Sequence, residues 1–364
     1  MIACNLQWTR VRLPLTSPFR TSVRELFWRE SWVVQLEAEG GIVGTGEAAP
    51  LLGHGLPEGP SVEALLGRLR DSLPTALDAL SLPSGATASE AAVRFAVETA
   101  ALDAFGQAIA VPLAGLLGPH RDRVEVNAVI GVANAADAAA RAAEAAQAGF
   151  RTVKLKVGGR PLAEDVERVA AVRHALGPAV HLRLDANGAW TEPDALAALA
   201  ALRPYDLELV EQPVPAGEPA ALRRVREKSG VRIAADEDVV SRAAVEALLA
   251  ARAVDAVVLK PMMLGGLAVS LDIAQRAAAE GVASFVTTTV ESGVGTAAAL
   301  HLSAALPGAA PACGLATTSL LHSDLLREPL LIRGGAMALP PRPGLGVVLD
   351  PAAVARFAWQ EQAA

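Results

Sequence analysis

Six charged residues in the middle of the sequence each follow or end a short apolar run. Three carry carboxylates and three carry amines. Unpaired charge at the end of a buried strand does not favour stability, because its desolvation has to be compensated. These residue types therefore predict a chemical site where carboxylates and amines meet. The six residues are Lys154, Lys156, Asp185, Glu211, Asp236 and Lys260.

The three carboxylates suit a divalent metal ion. Asp185, Glu211 and Asp236 offer hard oxygen donors, with no cysteine or ordered pair of histidines nearby. Mg²⁺ prefers octahedral oxygen ligation and keeps positions for water or substrate oxygens. The alternative is that these carboxylates only form salt bridges with the lysines, but buried ion pairs contribute poorly to stability. We therefore predict an Mg²⁺ site in which Mn²⁺ could substitute.

The lysines indicate proton transfer. The chain has 32 basic residues but only four lysines, and three of the four belong to the charged set, while Lys228 follows a helical pattern at the surface. Lysine can lose its proton and arginine cannot. A bound metal and a neighbouring ammonium should depress the pKa of one lysine and make it a base.

A metal beside lysine bases is equipped to remove the proton alpha to a carboxylate. The resulting enediolate is stabilised by the electrostatics of such a site. Return of the proton gives racemisation, whereas expulsion of a β-leaving group gives elimination. Both outcomes require a small-molecule carboxylate as the substrate.

The spacing of the charges predicts the elements that position them. Successive gaps from Lys156 to Lys260 are 29, 26, 25 and 24 residues, the length of one strand, one helix and two short loops. The carboxyl ends of all strands face one mouth in a closed β/α barrel. Lys154 and Lys156 are two residues apart, so both side chains should point into that mouth.

The flanking segments predict a second domain. Residues 1 to about 48 alternate as strands, with a polar loop expected at 17–24, and helical patterns follow at 61–75 and 87–109. The Gly- and Pro-rich tail has no further strand and helix unit and should pack back on the first domain.

Composition excludes several classes of partner. The net charge is −7 with no long basic run, which argues against nucleic acid or a membrane surface as partner. Apolar segments are interrupted short of a membrane-spanning length, and the first residues lack the pattern of a secretory signal. The two cysteines, Cys4 and Cys313, are too few to staple a chain of this size. We expect a cytoplasmic protein, and the composition also allows a homo-oligomer.

The motifs KLK, DANGAW, EQP, ADED and LKP, in this order and spacing, resemble the enolase superfamily and its muconate-lactonising-enzyme subgroup. The resemblance covers nearly the whole chain. It implies an α/β fold with a modified TIM barrel, (β/α)₇β, over residues 121–325. It further implies an α+β capping domain formed by residues 1 to about 120 and completed by the tail 326–364.

The same resemblance implies roles for individual residues. Asp185, Glu211 and Asp236 would bind Mg²⁺. Lys156 would be the principal base, Lys154 would orient the substrate carboxylate, and Lys260 would act from the opposite face. Residues expected to support the ligands are Asn187 and Glu237.

Substrate-binding residues are predicted in two places. The glycines of ESGVGTAA should let backbone N–H groups at a helix start approach a substrate carboxylate, which selects Glu291, Ser292 and Gly293. Capping loops at 17–30 and 50–60 should set specificity, and Arg20 is the predicted contact from the first of them.

Within the subgroup, the runs CGLATTSLLHSDLL and PGLGV resemble the o-succinylbenzoate synthases of menaquinone biosynthesis. That likeness implies a lyase that performs syn dehydration. Dipeptide epimerases usually carry Asp-x-Asp after ESGVG, and this sequence has none there. The alternatives are an N-acylamino-acid racemase, a dipeptide epimerase or a muconate cycloisomerase. A barrel reused as a binding protein would be expected to have lost a ligand or a base, and none is missing.

Overall fold

The computed structural model describes residues 1–20, 25–51, 56–80, 82–131 and 133–359. Its N-terminal part is an antiparallel sheet with strand order β3-β2-β1-β4, and helices pack on it. The strands are β1 (Ile2–Arg20), β2 (Glu25–Ala38), β3 (Ile42–Ala48) and β4 (Thr75–Ala76), and the helices are α1 (Val62–Asp71), α2 (Ala88–Ala108) and α3 (Leu113–Leu117).

The β1–β2 hairpin is longer than the sequence predicts. Part of the expected loop at 17–24 is strand, because the backbone of Phe19 pairs with Leu26 and that of Arg20 with Glu25. Backbone pairing extends the ladder beyond the point where the apolar alternation of the sequence stops. The loop prediction is therefore wrong for residues 17–20, and residues 21–24 lie outside the described part.

Helix α2 is confirmed close to its predicted bounds. Thr87 and Glu90 form a reciprocal capping box at its start. The helix lies so close to β3 that a Cβ on Gly44 or Gly46 would collide with the carbonyl groups of Ala100 and Ala96. Those two glycines allow the helix to pack directly against the strand.

The second sheet is parallel, curled and seven-stranded, with each strand hydrogen-bonded to the next in chain order. Helices follow the strands, as in βαβ units. The strands are β6 (Ala128–Ile130), β7 (Thr152–Lys156), β8 (His181–Asp185), β9 (Leu207–Glu211), β10 (Ile233–Ala235), β11 (Ala256–Leu259) and β12 (Ala283–Val286). The helices are α4 (Ala135–Gln147), α5 (Leu162–Leu176), α6 (Glu192–Leu202), α7 (Pro219–Ser229), α8 (Arg242–Ala250), α9 (Pro261–Leu264), α10 (Leu267–Ala279) and α11 (Gly293–Ala305).

A short extended segment joins the two ends of this sheet. Cys313 N–H donates to Glu125 at 2.8 Å and its carbonyl accepts from Asn127 at 2.9 Å. On the other side, Gly314 N–H donates to Val286 at 2.8 Å. The segment therefore occupies the eighth strand position. It closes the (β/α)₇β barrel that the sequence predicts.

The tail contacts both halves of the molecule. The strand Ala336–Ala338 pairs with the strand Arg123–Glu125, which precedes the barrel in the sequence, whereas Ala358 bridges to Val11 in β1. Trp359 lies between two arginines of β1, with its ring centroid 4.0 Å from Arg10 Cζ and 3.8 Å from Arg12 Cζ. The elements are β5 (Arg123–Glu125), β13 (Ile332–Arg333), β14 (Ala336–Ala338) and α12 (Pro351–Phe357).

No helix among the described residues has both the length and the apolar character needed to cross a bilayer.

His301 is a fully buried residue of α11 that joins three elements. Its Nδ1 accepts the N–H of Ala114 in α3 at 3.1 Å, and its Nε2 lies 3.1 Å from the carbonyl oxygen of Leu345 in the tail. Both bonds require a neutral ring with its proton on Nε2. Burial lowers the pKa of His301 to about 4.

We expect His301 to make the protein lose stability in mild acid. The unfolded chain protonates this residue near its ordinary pKa of about 6.5, so stability falls as pH drops from there to about 4, by about 3 kcal/mol in all. Urea denaturation between pH 7.5 and 4.5 measures the loss. His301→Gln should be less stable overall but should show a flatter profile, and an unchanged slope would contradict the assignment.

Candidate active site

The structure brings all six charged residues to the carboxyl ends of neighbouring barrel strands. Lys154 and Lys156 lie in β7, Asp185 ends β8 and Glu211 ends β9. Asp236 directly follows β10, and Lys260 directly follows β11. Because these ends face one mouth, residues more than 100 positions apart share one site.

Lys154 lies between two carboxylates. Its Nζ is 2.9 Å from Asp185 Oδ2 and 3.0 Å from Glu211 Oε1. Both carboxylates have no exposed surface, and the lysine side chain is 11% exposed. The ammonium group is therefore a fixed part of the floor of the site.

Lys156 is the more accessible of the two lysines of β7. Its Nζ donates to Asp185 Oδ2 at 2.6 Å and to Asn187 Oδ1 at 2.6 Å, and its side chain is 31% exposed. Asn187 in turn donates to Glu237 Oε1 at 2.9 Å. Asn187 and Glu237 thus link Lys156 to the end of β10, next to Asp236.

Lys260 stands on the opposite wall, four strands from β7. Its Nζ lies 2.6 Å from Asp236 Oδ1 and 2.7 Å from Oδ2, so the pair is nearly symmetric. The lysine side chain is 13% exposed and the aspartate side chain 4%. The cluster of carboxylates is therefore contacted by amines from two sides: by Lys154 and Lys156 on β7, and by Lys260 after β11.

Electrostatics in the site differ from the sequence prediction in one respect. We expected the pKa of one lysine to be depressed, but nearby carboxylates raise the pKa of Lys154 and of Lys260 despite their burial. Burial and the charges of Asp185 and Asp236 raise the pKa of Glu211 to about 8, whereas the lysines hold that of Asp185 far below its usual range. The expectation included the charge of a bound metal ion, which would oppose the effect of these carboxylates.

The carboxylate oxygens of the site are of the kind that binds divalent cations. In this structure they form ion pairs with the lysine ammonium groups. Among the described residues, no three carboxylate, histidine or cysteine side chains are arranged as a ready-made metal site. Four carboxylates, counting Glu237, face three ammonium groups, so the fully ionised cluster carries a charge of −1. Glu237 Oε2 is buried with no hydrogen-bond partner among the described residues. The hard oxygen donors and the unpartnered oxygen both fit Mg²⁺.

Gln212 and Asp238, which were not predicted from the sequence, hold the carboxylates in place. Gln212 is fully buried in the left-handed backbone region, with φ of 38°. Its side chain accepts the N–H of Asp236 at 3.0 Å and donates to Asp238 Oδ2 at 2.8 Å. A glutamine directly after a strand-end carboxylate, in EQP, was the available signal.

A buried ion pair on α5 holds the loop after Lys156. Arg168 donates to Asp165 Oδ1 at 2.7 Å and to the carbonyl oxygen of Lys156 at 2.9 Å. The other oxygen of Asp165 accepts the N–H of Gly158 at 2.7 Å. Both side chains are at most 3% exposed.

Asp165→Ala should destabilise the protein by about 3–5 kcal/mol, because it leaves the Arg168 charge buried and uncompensated. Glu164→Ala removes a carboxylate from the same helix, where it pairs with Arg160 in solvent at 2.9 Å. That control should cost under about 1 kcal/mol. Urea unfolding compares the two, and equal losses would contradict the role given to the buried pair.

The predicted substrate contacts at the start of α11 need a correction. Ser292 N–H donates to Glu47 Oε1 at 3.1 Å, and Gly293 N–H donates to Asp324 Oδ1 at 2.7 Å. Glu291 is 2% exposed and accepts from Thr289. These two N–H groups therefore already have protein acceptors, one in the N-terminal sheet and one in the segment just before the tail. The side chain of Arg20, the remaining predicted contact, lies outside the described part.

Comparisons with known proteins define the class. The mandelate racemase / muconate lactonizing enzyme N-terminal domain matches residues 3–118, and the enolase C-terminal domain-like family matches residues 137–353. The chain therefore belongs to the enolase superfamily, in its muconate-lactonising-enzyme subgroup.

Three relatives illustrate the range of the subgroup. The chain is 31% identical to the L-Ala-D/L-Glu epimerase of Bacillus subtilis over 94% of this chain and 96% of that one. It is 39% identical to the o-succinylbenzoate synthase of Thermobifida fusca over 68% of this chain and 80% of that one. The structure of a muconate lactonizing enzyme from Pseudomonas fluorescens, complexed with muconolactone, superposes with a TM-score of 0.89 at 27% identity and 98% coverage of both chains.

Proposed function

We propose that this enzyme uses Mg²⁺ to remove the proton alpha to a carboxylate and then expels water from the same face. The proposed activity is that of an o-succinylbenzoate synthase of menaquinone biosynthesis. The observation that carries the proposal is the placement of amines on opposite walls of the barrel, on β7 and after β11, with buried carboxylates between them.

Asp185, Glu211 and Asp236 would hold the metal ion. When bound, Mg²⁺ would neutralise these carboxylates, weaken their hold on the lysines and polarise the substrate carboxylate. Lys154, which already bridges two of the carboxylates, would orient that substrate group. The low exposure of the surrounding side chains strengthens each of these interactions.

Lys156 would take the alpha proton. It is the most exposed of the three lysines, so it can reach a substrate that enters through the mouth. Syn elimination removes the proton and the hydroxyl from one face, so the same amine can return its proton to the departing hydroxyl. Lys260, on the other wall, would stabilise the anionic intermediate.

A racemase or epimerase is the second candidate, favoured by the likeness to the Bacillus subtilis epimerase over nearly the whole chain. Such a reaction would use the same two walls, with Lys156 and Lys260 exchanging protons on opposite faces. A muconate cycloisomerase would also fit this fold.

Incubation of candidate substrates in D₂O, followed by ¹H NMR, separates these functions. The synthase substrate, a succinyl-hydroxycyclohexadiene carboxylate, should yield an aromatic product. A racemase or epimerase would instead incorporate deuterium at the alpha carbon of an N-acylamino acid or a dipeptide. The recovered substrate would contain both configurations at that carbon. Rapid exchange of these amino-acid substrates without an aromatic product from the first would overturn the synthase assignment.

A further inference from the structure

A buried carboxylate of the antiparallel sheet accepts hydrogen bonds from the barrel. Glu47, near the end of β3, has no exposed surface. Its Oε2 accepts from Ser292 Oγ at 2.6 Å and from Gly295 N–H at 2.9 Å, and its Oε1 accepts the N–H of Ser292 at 3.1 Å. These groups lie at the start of α11, where a helix has free N–H donors and favours negative charge. Glu47 therefore caps a barrel helix from another domain.

The loop that enters α11 has a strained backbone. Val290 has φ of 67°, which a β-branched residue rarely adopts. On its C-terminal side, the Glu291 carboxylate folds back to accept from the N–H of Thr289 at 2.5 Å and from its hydroxyl at 2.8 Å. Such a conformation persists only where surrounding contacts hold it.

The contacts that hold the loop come largely from outside the barrel. Val290 packs in a small apolar cluster with Val11, Leu13 and Val33 of the N-terminal sheet and with residues of the following segment. A Cβ on Gly295 would lie 2.7 Å from Glu291 Cβ and 3.0 Å from Glu47 Oε2. The glycine is therefore required by the close approach of both acidic side chains.

This loop belongs to the part of the mouth next to Lys260, because it follows β12, the strand that pairs with β11. Thr287 N–H donates to the carbonyl oxygen of Leu259 at 2.9 Å, so the seventh strand leaves the sheet next to the lysine. Thr288 and Thr289 follow at once, and both are less than 7% exposed. A shift of the loop would therefore change the shape of the mouth near Lys260.

We propose that Glu47 is a positioning residue, which holds the Thr289–Ser292 loop in its strained conformation beside Lys260 through its bonds to Ser292 and Gly295. The inference rests on the proposed function, because it assigns the loop to the wall of that active site. The docking of the N-terminal domain then sets the geometry of the site, in addition to covering it.

A role in docking alone makes a different prediction, and Asp103 supplies the matched control. It is a carboxylate of α2 that is 4% exposed and accepts two backbone N–H groups, from Thr45 at 2.8 Å and from Leu345 at 2.7 Å. These bonds join the sheet to the tail without touching the Thr289–Ser292 loop. If Glu47 only docks the domain, Glu47→Gln and Asp103→Asn should behave alike.

The test compares the two variants by steady-state kinetics and by hydrogen exchange of the peptide 287–296 in the full-length protein. Glu47→Gln should lower kcat by about 10- to 100-fold, as small displacements in an active site do, with KM changed less than about 3-fold. Its loop peptide should exchange faster than that of the parent protein. Asp103→Asn should keep kcat and the exchange rate of the loop. An unchanged kcat in Glu47→Gln, or equal losses in both variants, would overturn the proposal.

Glu47→Asp covers the case in which Glu47→Gln does not fold. It keeps the charge but is too short to reach both Ser292 and Gly295, so it should lose activity to a smaller extent and show intermediate loop exchange. If the parent protein turns over none of the tested carboxylates, the proposed function fails. The hydrogen-exchange measurement still tests whether Glu47 holds the loop. Faster loop exchange in the Glu47 variants alone supports it, and equal exchange in all variants overturns it.

Discussion

Lys156→Ala should lower turnover by about 10³-fold, the typical contribution of a general base. The amine that would take the alpha proton is lost, whereas Asp185 keeps its 2.9 Å bond to Lys154 and Glu211 is untouched. Mg²⁺ binding should therefore survive. Because the side chain is 31% exposed, its truncation should leave the fold intact. Steady-state kinetics and calorimetric titration with Mg²⁺ measure the two properties separately.

Lys228→Ala is the matched control for this variant. Lys228 is the one lysine outside the charged set, and it lies in the last turn of α7 with a 59% exposed side chain, 3.7 Å from Glu192. Its removal should leave turnover unchanged. Activity retained in Lys156→Ala would remove Lys156 from the role of base.

Asp185→Asn should weaken Mg²⁺ binding by at least about 100-fold, more than the loss of a residue that only supports a ligand. Asp185 is fully buried and its Oδ2 accepts from both Lys154 and Lys156, at 2.9 and 2.6 Å. An amide cannot supply the negative charge, so the remaining carboxylates would hold the cation less tightly. Turnover at fixed low Mg²⁺ should fall in parallel.

Asp255→Asn provides the control at the other end of the barrel. Asp255 precedes β11, where it accepts from the N–H of Ile233 at 2.9 Å and from Arg226 at 2.8 Å. This variant also loses a partly buried carboxylate, and its stability should fall while its Mg²⁺ affinity stays unchanged. Equal Mg²⁺ affinity in Asp185→Asn and the parent protein would exclude Asp185 as a ligand.

The sequence was sufficient to predict the barrel and the position of the six charged residues. The reason is local: each charge directly ends or follows its own strand, and the topology of a parallel barrel brings strand ends together without further information. The family resemblance, in contrast, was what implied a supporting role for Asn187, and its side chain accepts a hydrogen bond from Lys156.

The contacts of the N-terminal domain could not be predicted in the same way. Glu47 lies 245 residues from Ser292, and neither the GTGEA motif nor the ESGVG motif indicates the other as a partner. The N–H groups of Ser292 and Gly293, predicted to bind a substrate, instead donate to the carboxylates of Glu47 and Asp324. Pairings between distant segments depend on how two domains dock, which local periodicity does not specify.

The most direct test of this account is substrate turnover in D₂O by protein stripped of metal with a chelator, followed by ¹H NMR before and after Mg²⁺ is added back. We expect no loss of the alpha proton in the stripped protein, and recovery of turnover with Mg²⁺ or Mn²⁺. Turnover at the original rate by the metal-free protein would contradict the claim that carboxylates and a divalent cation prepare the substrate for the lysines.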